Sequence, residues 1–207
     1  MTSLLRRTGV RPGLALLLIA VAAVRCGPSS TASVADATEQ IAAAVQAAPA
    51  EFKEGARVIG FAPDGSAVDL RPGTNDLVCL SDDPTDEGWS VACYHASLEP
   101  YMALGRQLRA EGVTDSGEIL TRRNAAADAK TFAMPTLPAT LYVMTGESFD
   151  ATAGTVTKPY MRWVVYTPWA TAETTGLASS PEYAGQPWIM FPGTASAHIM
   201  ISPPEVE

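Results

Sequence analysis

Three kinds of hydrophobic pattern follow one another along this chain. The first is unbroken: Leu14 to Val24 reads LALLLIAVAAV, behind Arg6, Arg7 and Arg11 and ahead of small residues from Arg25 onward. A basic start, a short apolar run and a small-residue exit predict an export signal over residues 1–25. The run falls short of the roughly 20 apolar residues that cross a bilayer as a permanent helix. Residues 26–35 (CGPSSTASVA) are small and polar and predict a flexible tether.

The second pattern has helical spacing. Residues 36–48 (DATEQIAAAVQAA) predict a short helix capped by Asp36, with Glu39 as its capping-box partner and Pro49 as its stop. Its apolar face is mostly alanine, so light packing at the edge of the domain is expected. A longer helix is predicted from Ser97, as N-cap, to Glu111. Leu98, Tyr101, Met102, Gly105 and Leu108 share one face, while Arg106, Gln107, Arg109 and Glu111 lie off it and Gly112 ends it. A weaker helix starts at Asp115, with Glu118 as box partner and Glu118–Arg122 as an i,i+4 pair. The stretch NAAADAKTFAMPTLP after it reads as loop.

The third pattern is short β-branched and aromatic runs between turn residues. RVIGF (57–61) and AVDL (67–70) flank Pro63-Asp64-Gly65, a hairpin signal, and LVCL (77–80) continues it as a meander. An acidic loop from Asp82 to Glu87 precedes a return strand from Trp89 to Tyr94. TLYVM (140–144), YMRWVVY (160–166), WIMF (188–191) and AHIMI (197–201) are four further strands. Residues 167–187 form a surface loop with one helical turn around Ala172. The fold class is α+β: a mostly antiparallel sheet with one or two helices packed on one face. An all-β sandwich or barrel is the alternative, and the helix at 97–111 argues against it. The domain organisation follows as export signal 1–25, tether and short helix 26–50, and one α+β domain over 51–207.

Charge narrows the partners. The 207 residues carry a formal net charge of −8, and the leader holds Arg6, Arg7, Arg11 and Arg25 but no acid, so the remainder sits near −12. Such a domain is repelled by phosphate backbones and anionic lipid. No nucleic-acid partner is expected, and membrane contact is expected only through the leader or a lipid anchor. With 47% hydrophobic and 17% charged residues, the chain has the apolar content to fold rather than stay disordered.

Cysteine fits an exported protein. Cys79 and Cys93 are expected to pair in an oxidising compartment, closing a loop of about 15 residues worth about 3 kcal/mol. Two buried free thiols, or a metal pair with only His95 nearby, are the alternatives. Cys26, followed by Gly-Pro-Ser-Ser, resembles a lipoprotein attachment site, although Arg25 stands where such motifs carry a small residue. Cleavage after Ala22, Ala23 or Ala37, or a retained membrane anchor, are the other readings.

The segment PGTNDLVCLSDDPTDEGWSVACYHASLEPYM (Pro72 to Met102) resembles a family of uncharacterised exported bacterial proteins with a two-cysteine acidic loop. The shared layout is an Asp-Gly hairpin, a Pro-Gly-Thr-Asn turn, a cysteine, an acidic loop, a second cysteine and a helix. Strands like LYVMTG and the closing AHIMI also recur. This chain departs from the family by its long stretch 113–138 and its loop 167–187. The resemblance implies an exported α+β domain and no activity.

Candidate chemistry is sparse. Only His95 and His198 are histidines, and no G-x-S-x-G elbow offers a nucleophile. Met144, Met161, Met190 and Met200 each lie on a different predicted strand. Met200 shares a face with His198, a soft donor set for copper(I) if the strands converge; core filling is the plainer reading. Asp82, Asp83, Asp86 and Glu87 crowd one loop, as calcium ligands do, but Pro84 and Gly88 break the EF-hand spacing. Trp163, Tyr166, Trp169, Tyr183 and Trp188 gather around loop 167–187. Trp163 and Trp188 are expected in the core, and Trp169 and Tyr183 in an exposed binding loop. No cofactor is implied. The reading that results is an exported cell-envelope protein that binds a ligand or protein partner without catalysis. A hydrolase of unfamiliar type and a metal-binding protein are the alternatives.

Overall fold

Alternation along the strands decides the architecture, because both faces of the sheet are apolar. The computed structural model describes residues 35–204; the leader and Cys26 lie outside the described residues. β3 (Leu77–Leu80) sends Leu77 and Cys79 into one core and Val78 and Leu80 into another. A sheet apolar on both sides must be covered on both sides.

Eight strands form that sheet in the order β2-β1-β3-β4-β5-β8-β10-β9. They are β1 (Arg57–Phe61), β2 (Ala67–Arg71), β3, β4 (Trp89–His95), β5 (Ala139–Gly146), β8 (Tyr160–Tyr166), β9 (Trp188–Met190) and β10 (His198–Ile201). Two short strands, β6 (Ser148–Asp150) and β7 (Thr155–Thr157), make a separate hairpin. All neighbours in the large sheet run antiparallel except β1 and β3. The expected meander is corrected there. β3 pairs with the edge of β1 that β2 leaves open, because the turn at 72–76 carries the chain past β1.

The first face is covered by α1 (Ala37–Ala44) and the 3₁₀ turn that continues it, Val45–Ala47. Light packing is not what the alanines produce. Ala44 and Ala47 are sealed against Val58, Leu77, Val91, Cys79 and Cys93, because small side chains let the helix backbone approach the sheet closely. Gln40 fastens the contact. Its Oε1 accepts from Phe61 N (2.8 Å) and Ser81 Oγ (3.1 Å), and its Nε2 donates to Ala35 O (2.8 Å) and Phe61 O (2.9 Å). A buried amide so fully paired avoids the desolvation cost of an orphaned one. Gly60 is required beneath it, since a Cβ there would lie 2.4 Å from Gln40 Oε1.

The second face carries α2 (Glu99–Ala110) and α3 (Ser116–Asp128). Leu98 and Tyr101 enter its core with Tyr94, Val164 and Tyr166, and each such fully buried apolar side chain is worth about 1.5–3 kcal/mol. Two expectations change. Ser97 does not cap through its side chain; His95 Nδ1 accepts from Ser97 N (3.2 Å) and holds the 3₁₀ turn that precedes α2. α3 is capped by Asp115 as expected but continues through Asn124–Asp128, where tertiary packing of Ala127 extends it. The helical turn near Ala172 is α4 (Ala172–Thr175). Trp163, expected in the core, is 41% exposed, because it stands on the first face in register with Tyr142 and Ile201.

Between β4 and α2 lies a polar knot. Tyr94 is fully buried, and its hydroxyl donates to Glu99 Oε2 (2.5 Å) and accepts from Arg106 Nη1 (2.9 Å). Arg106 also pairs with Glu99 at 2.6 Å, and Arg57 links Glu99 to Asp69 on the edge strand. Burial, with Glu99 beside it, raises the Tyr94 pKa well above the ordinary tyrosine value, so the phenol stays neutral. Cys79 and Cys93, opposite each other on β3 and β4, form a disulfide.

Candidate functional site

Two proline-bearing segments face each other beside the second face. Met134-Pro135-Thr136-Leu137-Pro138 leads into β5, and Thr167-Pro168-Trp169 leaves β8. Proline fixes its own φ and keeps the preceding residue extended, so the first segment stands as a stiff strap. Between the two lies a cavity of about 390 Å³ that Leu137 and Trp169 line together. A second cavity of about 530 Å³ adjoins it along the strap, bounded on the far side by His95, Ser97 and Pro100.

The shelf is held rigidly. Trp169 has φ 60° and Phe191 φ 52°, left-handed values that a bulky residue adopts only when its surroundings compel it. The compulsion is a lattice of backbone bonds between residues 167–170 and the loop 193–197 before β10. Thr167 N donates to Ala197 O (2.9 Å), Trp169 N to Thr194 O (2.8 Å) and Gly193 N to Ala170 O (2.7 Å). The Trp169 indole N–H donates to Asp128 Oδ1 at 3.0 Å, tying the ring to the end of α3. What remains open is apolar: Leu137 is 76% exposed, Trp169 46% and Phe191 39%. Chemically, such a surface can bury an apolar partner.

Tyr183, the other residue expected in a binding loop, is 66% exposed but lines a different cavity, with Pro181, Trp188 and Ser202. The loop 167–187 therefore does not bring Trp169 and Tyr183 into one cavity. His198 is buried, with Tyr166 (5.1 Å) and Phe191 (5.8 Å) against its ring. Its Nδ1 lies 2.8 Å from Ser196 O; a carbonyl only accepts, so Nδ1 carries the hydrogen. Desolvation lowers its pKa, and the carbonyl opposes that. His95 is exposed, and its Nδ1 lies 2.8 Å from Ser97 Oγ. The same nitrogen takes the Ser97 backbone N–H at 3.2 Å, the bond that caps the 3₁₀ turn. Neither histidine forms an ion pair or hydrogen bond with a carboxylate among the described residues.

The methionines divide between the faces. Met144 and Met161 pack into the first core, whereas Met200 packs into the second and Met190 pairs with His198 in register. The copper(I) set of His198 with four thioethers is not assembled. The acidic loop is self-occupied: Asp82 Oδ1 accepts from Ser90 N (2.8 Å), Asp83 Oδ1 from Thr85 N (2.9 Å), and Asp86 pairs with Arg109 (3.6 Å). Among the described residues no three His, Cys, Asp or Glu side chains are grouped to hold a metal ion.

Sequence reasoning passed over the strap. Its signal is a leucine between two prolines in MPTLP, which polarity-based reading files as loop. No family model, no curated protein and no solved structure matches the chain.

Proposed function

We propose that the protein is an exported, non-catalytic binding domain that seats an extended apolar segment of a partner protein along the strap and Trp169. One observation carries the reading: Leu137 and Trp169 are exposed on a shelf whose backbone is locked by proline and by left-handed residues. A rigid apolar surface loses little entropy on binding, which favours recognition. The leader pattern of residues 1–25, the Cys79–Cys93 disulfide and the family resemblance support export.

The test is selection of a displayed random-peptide library on the folded protein, followed by titration of the winning peptides. Trp169→Ala is expected to weaken them by about 30-fold, the roughly 2 kcal/mol of a central aromatic anchor, and Leu137→Asp by a similar factor. Tyr183→Ala is expected to change nothing. Peptides that bind all three variants and the parent equally would show that the shelf is not a recognition surface.

A further inference from the structure

A second site lies at the seam of α2, α3 and the sheet, and it shares no residue with the shelf. Arg123 of α3 reaches across to α2. Its Nε donates to Tyr101 O (2.9 Å), its Nη2 lies 3.1 Å from Met102 Sδ, and its Cζ stands 3.6 Å above the Tyr101 ring. It forms no ion pair among the described residues, and Nη1 makes no hydrogen bond there. A thioether is a weak acceptor, so the outer edge of this half-buried guanidinium, where two parallel N–H groups would grip a carboxylate, is unspent. Half-buried charge without a counter-charge is costly, and burial accordingly lowers the Arg123 pKa.

Arg123 also lines a groove of about 260 Å³. Ile59, Leu80, Met102 and Ile119 supply its apolar walls. The other two arginines that line it are already neutralised, Arg106 by Glu99 and Arg109 by Asp86. Asp82 lines it too, with a backbone N–H for company and no cation, beside Asp83, whose only partner is Thr85. Desolvation, with Asp83 and Asp86 nearby, raises the Asp82 pKa, the mark of a carboxylate short of positive charge. The groove thus offers one cation without a counter-charge, two carboxylates without a cation, Asp82 and Asp83, and apolar walls. Its volume falls just below the roughly 300 Å³ at which drug-sized sites begin, so its occupant is small.

We propose that this groove binds a free amino acid with an apolar side chain. Its carboxylate takes the outer edge of Arg123, its ammonium meets Asp82, and its side chain lies on Ile59, Leu80, Met102 and Ile119. The binding is non-covalent and independent of the shelf.

The protein with ¹³C-methyl-labelled methionine reports occupancy directly, because the Met102 methyl is in the wall. Three probes separate the contributions: L-leucine, 4-methylpentanoate (the carboxylate without the amine) and 3-methylbutylamine (the amine without the carboxylate). Leucine is expected to shift the Met102 resonance saturably, and each half-ligand to bind at least about tenfold more weakly, a difference of about 1.4 kcal/mol. Arg123→Gln is expected to abolish the leucine response, and Asp82→Asn to weaken leucine about tenfold while leaving 4-methylpentanoate unchanged. If Arg123→Gln does not fold, the half-ligand comparison on the native chain and Asp82→Asn decide the matter alone. An unmoved Met102 at about 10 mM leucine, where even a millimolar site fills, overturns the proposal. So does 4-methylpentanoate binding as tightly as leucine, since Asp82 would then have no part.

Discussion

Replacing Cys79 and Cys93 together by alanine removes a staple whose worth can be worked from its place in the fold. The two residues face each other across β3 and β4, 14 positions apart in sequence, and neither side chain is solvent-exposed. Closing a loop of about 15 residues restricts the unfolded chain by about 3 kcal/mol at 25 °C. Each buried sulfur removed costs about as much as a buried methylene, ~0.8 kcal/mol, since Val58, Leu77 and Val91 pack around the pair. The double variant is therefore expected to lose about 4–5 kcal/mol, a large part of the roughly 5–15 kcal/mol that domains have. Urea unfolding followed by tryptophan fluorescence and far-ultraviolet circular dichroism measures it. Because most of the loss acts on the unfolded state, the denaturant slope should rise while the midpoint falls. In the parent, reductant should leave the native state intact and act only once urea opens the core. The reasoning is refuted if midpoint and slope both stay at parental values, or if native, unreduced protein alkylates at residues 79 and 93.

Two further substitutions probe the second face. Gly105→Ala places a methyl 3.4 Å from Arg123 Nη1 and 3.5 Å from its Cδ, ordinary contacts, in the middle of α2. The gain in helix propensity is expected to stabilise the protein by about 1 kcal/mol, or roughly 2–4 °C in Tm, while the methyl blunts the leucine response; a fall in Tm would mean that Arg123 has no room to yield. His198→Asn removes a buried titrating ring while keeping an N–H for Ser196 O. The His198 pKa is lowered in the folded protein, so as pH falls through about 6.5 the unfolded chain takes the proton first. The stability His198 contributes is thus complete above that value and lost on acidification towards the folded pKa. Tyr166 beside it, pushed up to about 12, stays neutral throughout. Thermal melts of parent and variant between about pH 7.5 and 5.5 should diverge in the acid half, and parallel curves would refute the assignment.

Local rules carried the sequence reading as far as local rules reach. Short β-branched and aromatic runs between turn residues found every strand of the large sheet, because apolar residues are dense on strands with two apolar faces. The capping pairs Asp36–Glu39 and Asp115–Glu118 located two helix starts, since those bonds are made within one turn. What failed depended on distant partners. The alanine face of α1 looked thin in sequence, yet thinness is what lets the backbone press on the disulfide, with Cys93 Sγ 3.4 Å from Ala44 O. The hairpin β6–β7 was missed because SFD and TVT are too short to show alternation. Trp163 is aromatic and on a central strand, the usual marks of burial. It stands on the first face beside Tyr142 and Ile201 and is left 41% exposed there, which the strand itself does not encode.

The candidate sites make the same point more sharply. Trp169 was legible as an exposed aromatic in a Gly/Pro-rich loop, and it does line a cavity. Its partner on that surface is Leu137 rather than Tyr183, and the 31 residues of chain between Leu137 and Trp169 hide the pairing until β5 and β8 are laid side by side. Arg123 was invisible for a stronger reason. On an amphipathic helix an arginine between Arg122 and Asn124 reads as one more solvated charge. Whether it is solvated depends on how α2 packs against it, and at Gly105 the two helices meet with no side chain between them. The groove therefore arises from the packing of two helices, each ordinary alone, over β1, β3 and β4, and Asp82, Asp83 and Asp86 of the acidic loop line it with the arginines. A site built this way leaves no spacing motif to search for. Its trace is an imbalance of charge within a half-buried space, which can be counted only once the fold is in hand.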